Sequence, residues 1–215
     1  MPHSFFLVPD ADATDIGRRE RKRQQTLDHL TQTAWRLFEA LGYDAVTMEQ
    51  IAAQADVSKG TLYNHFPVKE ALLAHRFHGE LAASLVGLWP TLNALPTLAA
   101  RLTRLLHASA DWSESQRAYL GPYLRYRFAT MQAGADNDER HSRSGLHRVF
   151  AALMQDAQAA NQARADMDPE LLAHHLQFLY LGALLRWLDQ PGMSLKQEFD
   201  AAIALFVNGV AGSSA

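Results

Sequence analysis

Apolar residues recur at intervals of three and four along nearly the whole chain of 215 residues. In the segment that ends at Gly42, they form one stripe: Leu27, Leu30, Ala34, Leu37, Phe38 and Leu41. This spacing places apolar side chains on one face of an α-helix, whereas the alternation typical of β-strands is almost absent. The sequence therefore predicts an all-α protein.

Capping residues and prolines divide this pattern into separate helices. Thr47 and Gln50 have the spacing of a capping box, and Ser58 can cap a short helix that Pro67 ends. Asp168, followed by a proline at the first helical position, opens a long helix nearer the C-terminus. The predicted helices cover about residues 18–42, 47–55, 58–66, 69–89, 97–111, 115–132, 141–162, 168–189 and 194–210. Residues 1–17 are expected to form a flexible tail.

The third predicted helix has an unusual composition. The sequence VSKGTLYNHF at residues 57–66 contains several weak helix formers. Leu62 and Phe66, four residues apart, would pack against the helix before it, which leaves the polar positions facing outward. Two short helices joined by a tight turn, the second rich in polar groups, describe a helix-turn-helix that presents side chains to DNA. The candidate DNA contacts are Thr47, Ser58, Lys59, Gly60, Thr61, Tyr63, Asn64, His65 and Lys69.

These residues also carry a family resemblance. The stretch TMEQIAAQADVSKGTLYNHFPVKEALL resembles the DNA-binding unit of the TetR family of bacterial transcriptional regulators. That family combines a capped helix, a tight turn and a recognition helix of the form G-x-[LI]-Y-x-[HY]-F, followed by a lysine. The matching positions are Gly60, Leu62, Tyr63, His65, Phe66 and Lys69. The resemblance covers about residues 25–75.

The resemblance implies two domains and a regulatory function. It implies a helix-turn-helix DNA-binding domain at residues 18–68 and a larger helical effector-binding and dimerisation domain at residues 69–215. We expect a ligand-responsive regulator, a repressor, that binds a palindromic DNA operator as a homodimer and is released by a small-molecule effector. The alternative is an architectural DNA-binding helical dimer without ligand control.

The last two predicted helices are unusually apolar. Such a pair fits either the core of one chain or an antiparallel hairpin that packs on its twin as a four-helix bundle. The residues alone favour the core, whereas the resemblance favours a dimer. The expected dimer interface consists of Leu172, His175, Leu176, Leu179, Ala183, Trp187, Phe199, Ile203, Phe206 and Val210.

The middle helices mix aromatic and polar residues, as a small-molecule pocket requires. An aromatic residue on a helix is more often part of the core or the surface, so the cluster counts for more than any one member. Arg125 and Arg127 lie on different helix faces, so at most one is expected to line a cavity. The candidate ligand contacts are Trp89, His107, Trp112, Tyr119, Tyr123, Tyr126, Arg127 and Phe150.

Composition narrows the remaining chemistry. The formal net charge is −3, yet residues 17–78 carry nine Lys and Arg against seven Asp and Glu, which weakly favours an anionic partner there. The chain has no cysteine, no basic leader of a signal peptide and no apolar stretch of membrane-spanning length, so we expect a cytoplasmic bacterial protein. Phosphate-binding and hydrolase motifs are missing, so we expect no enzyme and no cofactor. Among the histidine pairs, neither His75 with His78 nor His174 with His175 has a third ligand at convincing spacing, so no metal site is predicted.

Overall fold

The computed structural model describes residues 11–132 and 145–210, and these residues form nine α-helices and no strand. The predicted all-α fold is therefore confirmed. The helices are α1 (Ala11–Leu41), α2 (Met48–Gln54), α3 (Lys59–His65), α4 (Lys69–Asn93), α5 (Leu98–Ser115), α6 (Arg117–Gln132), α7 (Gly145–Ala159), α8 (Pro169–Asp189) and α9 (Leu195–Val210).

Several predicted helix boundaries differ from the observed ones, most of all the start of α1, and α5 also continues to Ser115 although its end was predicted at residue 111. Helix α1 begins at Ala11, so residues 11–17 of the predicted tail are helical, while residues 1–10 lie outside the described residues. Those seven positions lack an apolar stripe, but no proline interrupts them, so the helix extends beyond the periodic segment. Helix α4 continues through Pro90 to Asn93, although the proline was expected to end it at residue 89. Residues 141–144 of the predicted seventh helix also lie outside the described residues.

The chain divides into two compact units, Met1–Leu72 and Leu73–Ala215, so the division falls inside α4. The sequence placed the domain boundary just before Lys69, and the functional roles of the two domains stay predictions. In the first unit, apolar side chains of α1 to α4 form a continuous core. Its fully buried large residues are Leu30, Ile51, Leu62 and Leu72, with Phe38 at 2% exposure.

The second unit is a helical body in which α8 packs on α7 and on α9, and α9 packs on α5. Phe150 of α7, Leu176 of α8 and Phe199 of α9 are fully buried between these helices. None of the described helices is both long and apolar enough to cross a membrane.

A candidate DNA-binding surface and a ligand cavity

Local hydrogen bonds fix both ends of α2. The predicted capping box is present: the Gln50 N–H donates to Thr47 Oγ1 at 3.2 Å, and the Thr47 N–H donates to Gln50 Oε1 at 2.8 Å. At the other end, Asp56 adopts a left-handed conformation with φ of 54°, which Asp tolerates better than most residues. The N–H of Val57 donates to the Ala52 carbonyl at 3.0 Å, which closes a Schellman turn and redirects the chain into α3.

Helix α3 is capped by Ser58 and anchored by Leu62. The Thr61 N–H donates to Ser58 Oγ at 3.0 Å, and the hydroxyls of Ser58 and Thr61 lie 2.8 Å apart. Leu62 and the C-capping Phe66 are buried, so the apolar face of α3 holds it against the first unit's core. As a result, the opposite face of α3 is turned to solvent in a fixed orientation.

The solvent face of α3 brings several predicted DNA contacts together. Lys59, Gly60, Tyr63 and Asn64 are exposed, and Thr61 and His65 are half-buried beside them. Among the described residues, a Cβ atom at Gly60 would meet only Ser58 Oγ at 3.8 Å, so no neighbour there requires glycine. Glycine at this position would also allow another molecule to approach the backbone closely.

Glu49 of α2 is a neighbour of this face that the sequence analysis missed. One of its carboxylate oxygens lies 3.6 Å from Lys59 Nζ and 3.5 Å from the Tyr63 hydroxyl. A hydrogen bond from the backbone, together with Lys59 and Tyr63, lowers the pKa of Glu49. Glu49 therefore gives both side chains a local partner in the free protein. The signal in the sequence was Glu49 in the first turn of α2, because α2 directly precedes the helix that begins with the basic residue Lys59.

Lys69 is less free than predicted. Its ammonium donates to the Tyr43 carbonyl at 2.8 Å and lies 4.4 Å from the centre of the Tyr43 ring. The Tyr43 hydroxyl in turn donates to Glu70 Oε1 at 2.9 Å. Tyr43 thus ties the loop between α1 and α2 to the first turn of α4. No local pattern in the sequence predicts this link, because its partners are 26 and 27 residues apart.

The second unit encloses a cavity of about 120 Å³ that is mostly apolar. Three of the predicted ligand contacts, Trp112, Tyr123 and Arg127, line it, and Arg125 is exposed elsewhere. The other predicted contacts do not line it: Trp89, His107, Tyr119, Tyr126 and Phe150.

Two of the predicted ligand contacts that do not line the cavity, His107 and Phe150, pack elsewhere in the second unit. His107 Nε2 lies 2.7 Å from Asp200 Oδ1 and so joins α5 to α9. Phe150 is fully buried and packs edge-on against Tyr180, with ring centres 6.2 Å apart. Both were included because they are close in sequence to the aromatic cluster, but closeness along a chain does not determine which helix face points inward.

The polar groups of the cavity are few and mostly paired with one another. The ring of His78 lies 3.2 Å from the Tyr123 hydroxyl, and Ser109 bonds the Tyr180 hydroxyl at 2.9 Å. Burial raises the pKa of Tyr123 to about 12, so its phenol remains a neutral hydrogen-bonding group at physiological pH. Arg127 and Gln177 add a cation and an amide to the described lining, which contains no carboxylate.

Most of the cavity wall was not predicted from the sequence. Helix α4 supplies one side of it, and α5 to α8 supply the rest. The residues missed are Phe77, His78, Leu81, Ser84, Leu85, Leu88, Leu105, Ala108, Ser109, Leu120, Leu124, Leu146, Gln177, Tyr180, Leu181 and Leu184. The leucines gave no distinctive signal, since a leucine stripe is equally typical of a packed core.

The predicted dimer interface needs a correction. Apart from His175 and Leu179, all its members are buried within a single chain: Leu172, Leu176, Ala183, Trp187, Phe199, Ile203, Phe206 and Val210. Their side chains pack against the chain's own helices, so they are not available to a second copy. The same two helices have a second apolar face that is exposed, formed by Leu171, Phe178, Leu185 and Leu205.

A capped helix-turn-helix in one unit and a helical body with an internal cavity in the other define a DNA-binding transcriptional regulator. Comparison with known proteins indicates the same class of protein. Residues 30–75 match the family model described as bacterial regulatory proteins, tetR family. The repressor KstR of Mycolicibacterium smegmatis is 27% identical, over 77% of this chain and 79% of KstR. MftR of Mycobacterium tuberculosis is 26% identical, over 86% of this chain and 91% of MftR.

The fold is similar to that of a TetR-family transcriptional repressor, FadR of Thermus thermophilus, solved in complex with lauroyl-CoA. That similarity has a TM-score of 0.72 at 24% identity and covers 88% of this chain and 97% of FadR. The chain therefore resembles the bacterial tetR regulatory proteins, by the family model over residues 30–75 and by its similarity to known transcriptional regulators over most of its length.

Proposed function

We propose that this protein is a transcriptional repressor that binds a palindromic operator as a homodimer and releases it when a small apolar molecule occupies the cavity. One structural observation is the main support for operator binding. Buried Leu62 and the two helix caps hold Lys59, Tyr63 and Asn64 on the solvent face of α3. A recognition helix needs such an orientation to enter the major groove.

The three side chains would have different roles on DNA. Lys59 and Asn64 can donate to base edges, whereas the Tyr63 hydroxyl suits a phosphate. Contacts with DNA would replace the interactions of Lys59 and Tyr63 with Glu49, whose carboxylate would otherwise face the phosphates. The pairing with Glu49 keeps the two side chains beside the recognition face before DNA arrives.

The lining of the cavity favours an uncharged or anionic ligand with an apolar body. Its described residues include one cation, Arg127, and no carboxylate to neutralise a positive ligand. The similar FadR structure holds lauroyl-CoA, and a similar regulator from Saccharomonospora viridis was solved with choline. On charge, this cavity suits an acyl compound better than a quaternary amine.

Helix α4 offers a route from the ligand to the DNA-binding unit. Phe77, His78 and Leu81 of this helix line the cavity, and the same helix begins at Lys69, which is bonded to Tyr43 in the first unit. A ligand that displaces α4 would therefore act on a segment shared by both units. A coupling of about 1–3 kcal/mol is enough to change operator occupancy several-fold to a hundred-fold.

The homodimer would use the exposed apolar face of α8 and α9, defined by Leu171, Phe178, Leu185 and Leu205. Exposed side chains of this size on two adjacent helices form a patch that typically marks a protein interface. We propose no catalytic activity, and as a regulator of transcription the protein would act in the bacterial cytoplasm.

Selection of the full chain against random DNA duplexes at near-physiological salt tests the DNA-binding half. We expect recovery of an inverted repeat whose half-sites are about one helical turn apart. Replacement of Tyr63 by Ala should weaken binding to the recovered operator and to mismatched duplexes alike, because a phosphate contact carries no sequence information. A pool that stays random, with binding that only fades as salt rises, would favour an architectural protein instead.

Filling the cavity tests the ligand half. Ala108→Phe places a ring in the cavity, so we expect unchanged operator binding but loss of release by acyl compounds, with lauroyl-CoA and laurate as the first probes and choline as a negative control. Val86→Phe, on the exposed side of α4, is a matched control that should respond as the unaltered protein does. Release from Ala108→Phe at the same probe concentration would show that the effector does not use this cavity.

A further inference from the structure

Three possible metal ligands meet where α7 and α8 begin to pack on each other. His147 Nε2 lies 3.0 Å from Glu170 Oε2, and one donor atom each from His147, Glu170 and His174 lies within 4.8 Å of the other two. Glu170 and His174 are four residues apart on α8, so the helix projects them from one face. Two imidazoles and a carboxylate are a ligand set that Zn²⁺ uses in proteins.

The hydrogen bonds behind the two imidazoles prepare their Nε2 atoms to bind a metal. His174 Nδ1 lies 2.7 Å from the Glu170 carbonyl oxygen, which can only accept, so Nδ1 carries the proton and the Nε2 lone pair is available. His147 Nδ1 faces Gln177 Oε1 at 2.9 Å. Histidines that bind metals usually donate their second N–H to such an oxygen, which fixes the ring orientation and the tautomer.

The short contact between His147 Nε2 and Glu170 Oε2 needs a positive charge, a proton or a metal ion, between the two atoms. When His147 donates its Nδ1 proton to Gln177, its Nε2 lone pair faces a carboxylate oxygen, so a proton or a metal ion must lie between the two acceptors. The second imidazole favours the metal, because the ring centres of His147 and His174 are only 4.3 Å apart. Zinc–nitrogen bonds of about 2.0–2.1 Å would hold tetrahedral ligands roughly 3.3 Å apart. Glu170 and His174 are exposed and can close that distance by side-chain rotation.

We propose that His147, Glu170 and His174 bind one divalent transition-metal ion per chain, with Zn²⁺ the best suited, and leave a fourth position for water. Pairs of histidines close in sequence predicted no metal site. The three ligands come instead from the i, i+4 pair Glu170 and His174 of α8 and from His147 of another helix. Gln177 lines the ligand cavity as well as facing His147, so the ion would order one polar wall of that cavity. This proposal does not depend on the proposed function.

Calorimetric titration with ZnCl₂ tests the site directly. The experiment uses the full chain without a histidine tag, freed of metal by a chelator and then dialysed. We expect one Zn²⁺ per chain, and Co²⁺ should give the intense visible bands of a tetrahedral complex. Absence of stoichiometric binding of either ion would overturn the proposal.

Variants distinguish this site from the other eight of the chain's ten histidines. Glu170→Gln and His174→Ala should each weaken Zn²⁺ binding by more than about 100-fold, and Gln177→Leu by about tenfold. His175→Ala is the matched control, since His175 is the adjacent exposed histidine and its Nδ1 likewise bonds a backbone carbonyl, at 2.8 Å. It should bind Zn²⁺ as the unaltered protein does.

The altered residues Glu170 and His174 are exposed, so both variants should fold, and circular dichroism in the presence of the chelator verifies this. Unchanged affinity in Glu170→Gln and His174→Ala would assign the bound zinc to a different surface histidine and overturn the proposal. An equal loss of affinity in His175→Ala would have the same meaning.

Discussion

Replacing Phe178 with Asp is expected to convert the protein from a dimer to a monomer. Phe178 is 58% exposed on α8, and Leu205, at 67%, is exposed on the neighbouring helix α9. In a two-fold interface each substitution occurs twice, so the variant would bury two carboxylates against apolar partner surfaces. The desolvation cost of several kcal/mol for each ion exceeds what a dimer of ordinary affinity can tolerate.

The same substitution should reduce operator affinity by about 100-fold or more, because a monomer loses the effective-concentration advantage of two linked recognition helices. Sedimentation velocity gives the oligomeric state, and fluorescence anisotropy with a labelled operator gives the affinity. Val86→Asp is the control: it adds the same charge at an apolar position that is 79% exposed on α4, outside the proposed interface. A dimeric Phe178→Asp protein would mean that the two copies meet on another surface.

This prediction uses a face that the sequence did not identify, for a physical reason. Helix α8 is apolar on both sides: Leu172 and Leu176 face the chain's own core, whereas Phe178 and Leu185 face solvent. Periodicity identifies an amphipathic helix by contrast between its faces, and here the contrast is weak. Burial in the folded chain is the information that separates the two sides.

Local features were predictable from the sequence, by contrast. The capping box of Thr47, the tight turn between α2 and α3 and the cap of Ser58 involve residues within five positions of each other, and the sequence predicts each of them. These features determine where α2 and α3 begin and end, so the recognition helix followed from short-range chemistry.

The cavity and the histidine–glutamate cluster depend on contacts between distant residues. Ser109 meets Tyr180 across 71 positions, and His147 meets Gln177 across 30. In a protein of this fold class, such pairs depend on how the helices rotate and pack against one another. A single sequence specifies that arrangement only through the packing of the whole core. For this reason, residue types alone identified only three of the residues that line the cavity, Trp112, Tyr123 and Arg127.

Replacing Leu62 with Ala is expected to destabilise the DNA-binding unit without unfolding the helical body. Leu62 is fully buried and anchors α3, which is only seven residues long and has few other apolar contacts. Truncation of a buried leucine costs about 2–5 kcal/mol, a large part of the about 5–15 kcal/mol that stabilises a typical domain. Hydrogen–deuterium exchange should therefore accelerate in peptides from α2 and α3, while peptides from α7 and α8 keep their protection.

Asn64→Ala is the matched control for Leu62→Ala, since the two residues are two positions apart on one helix but face opposite ways. Asn64 is exposed, so its loss should leave exchange unchanged and alter only which operator bases are preferred. Leu62→Ala should instead weaken binding to every duplex, because the helix that carries all the contacts is no longer held in place. Unchanged exchange in Leu62→Ala would show that α3 is anchored by other contacts, and an exchange increase in Asn64→Ala would mean that its side chain supports the fold.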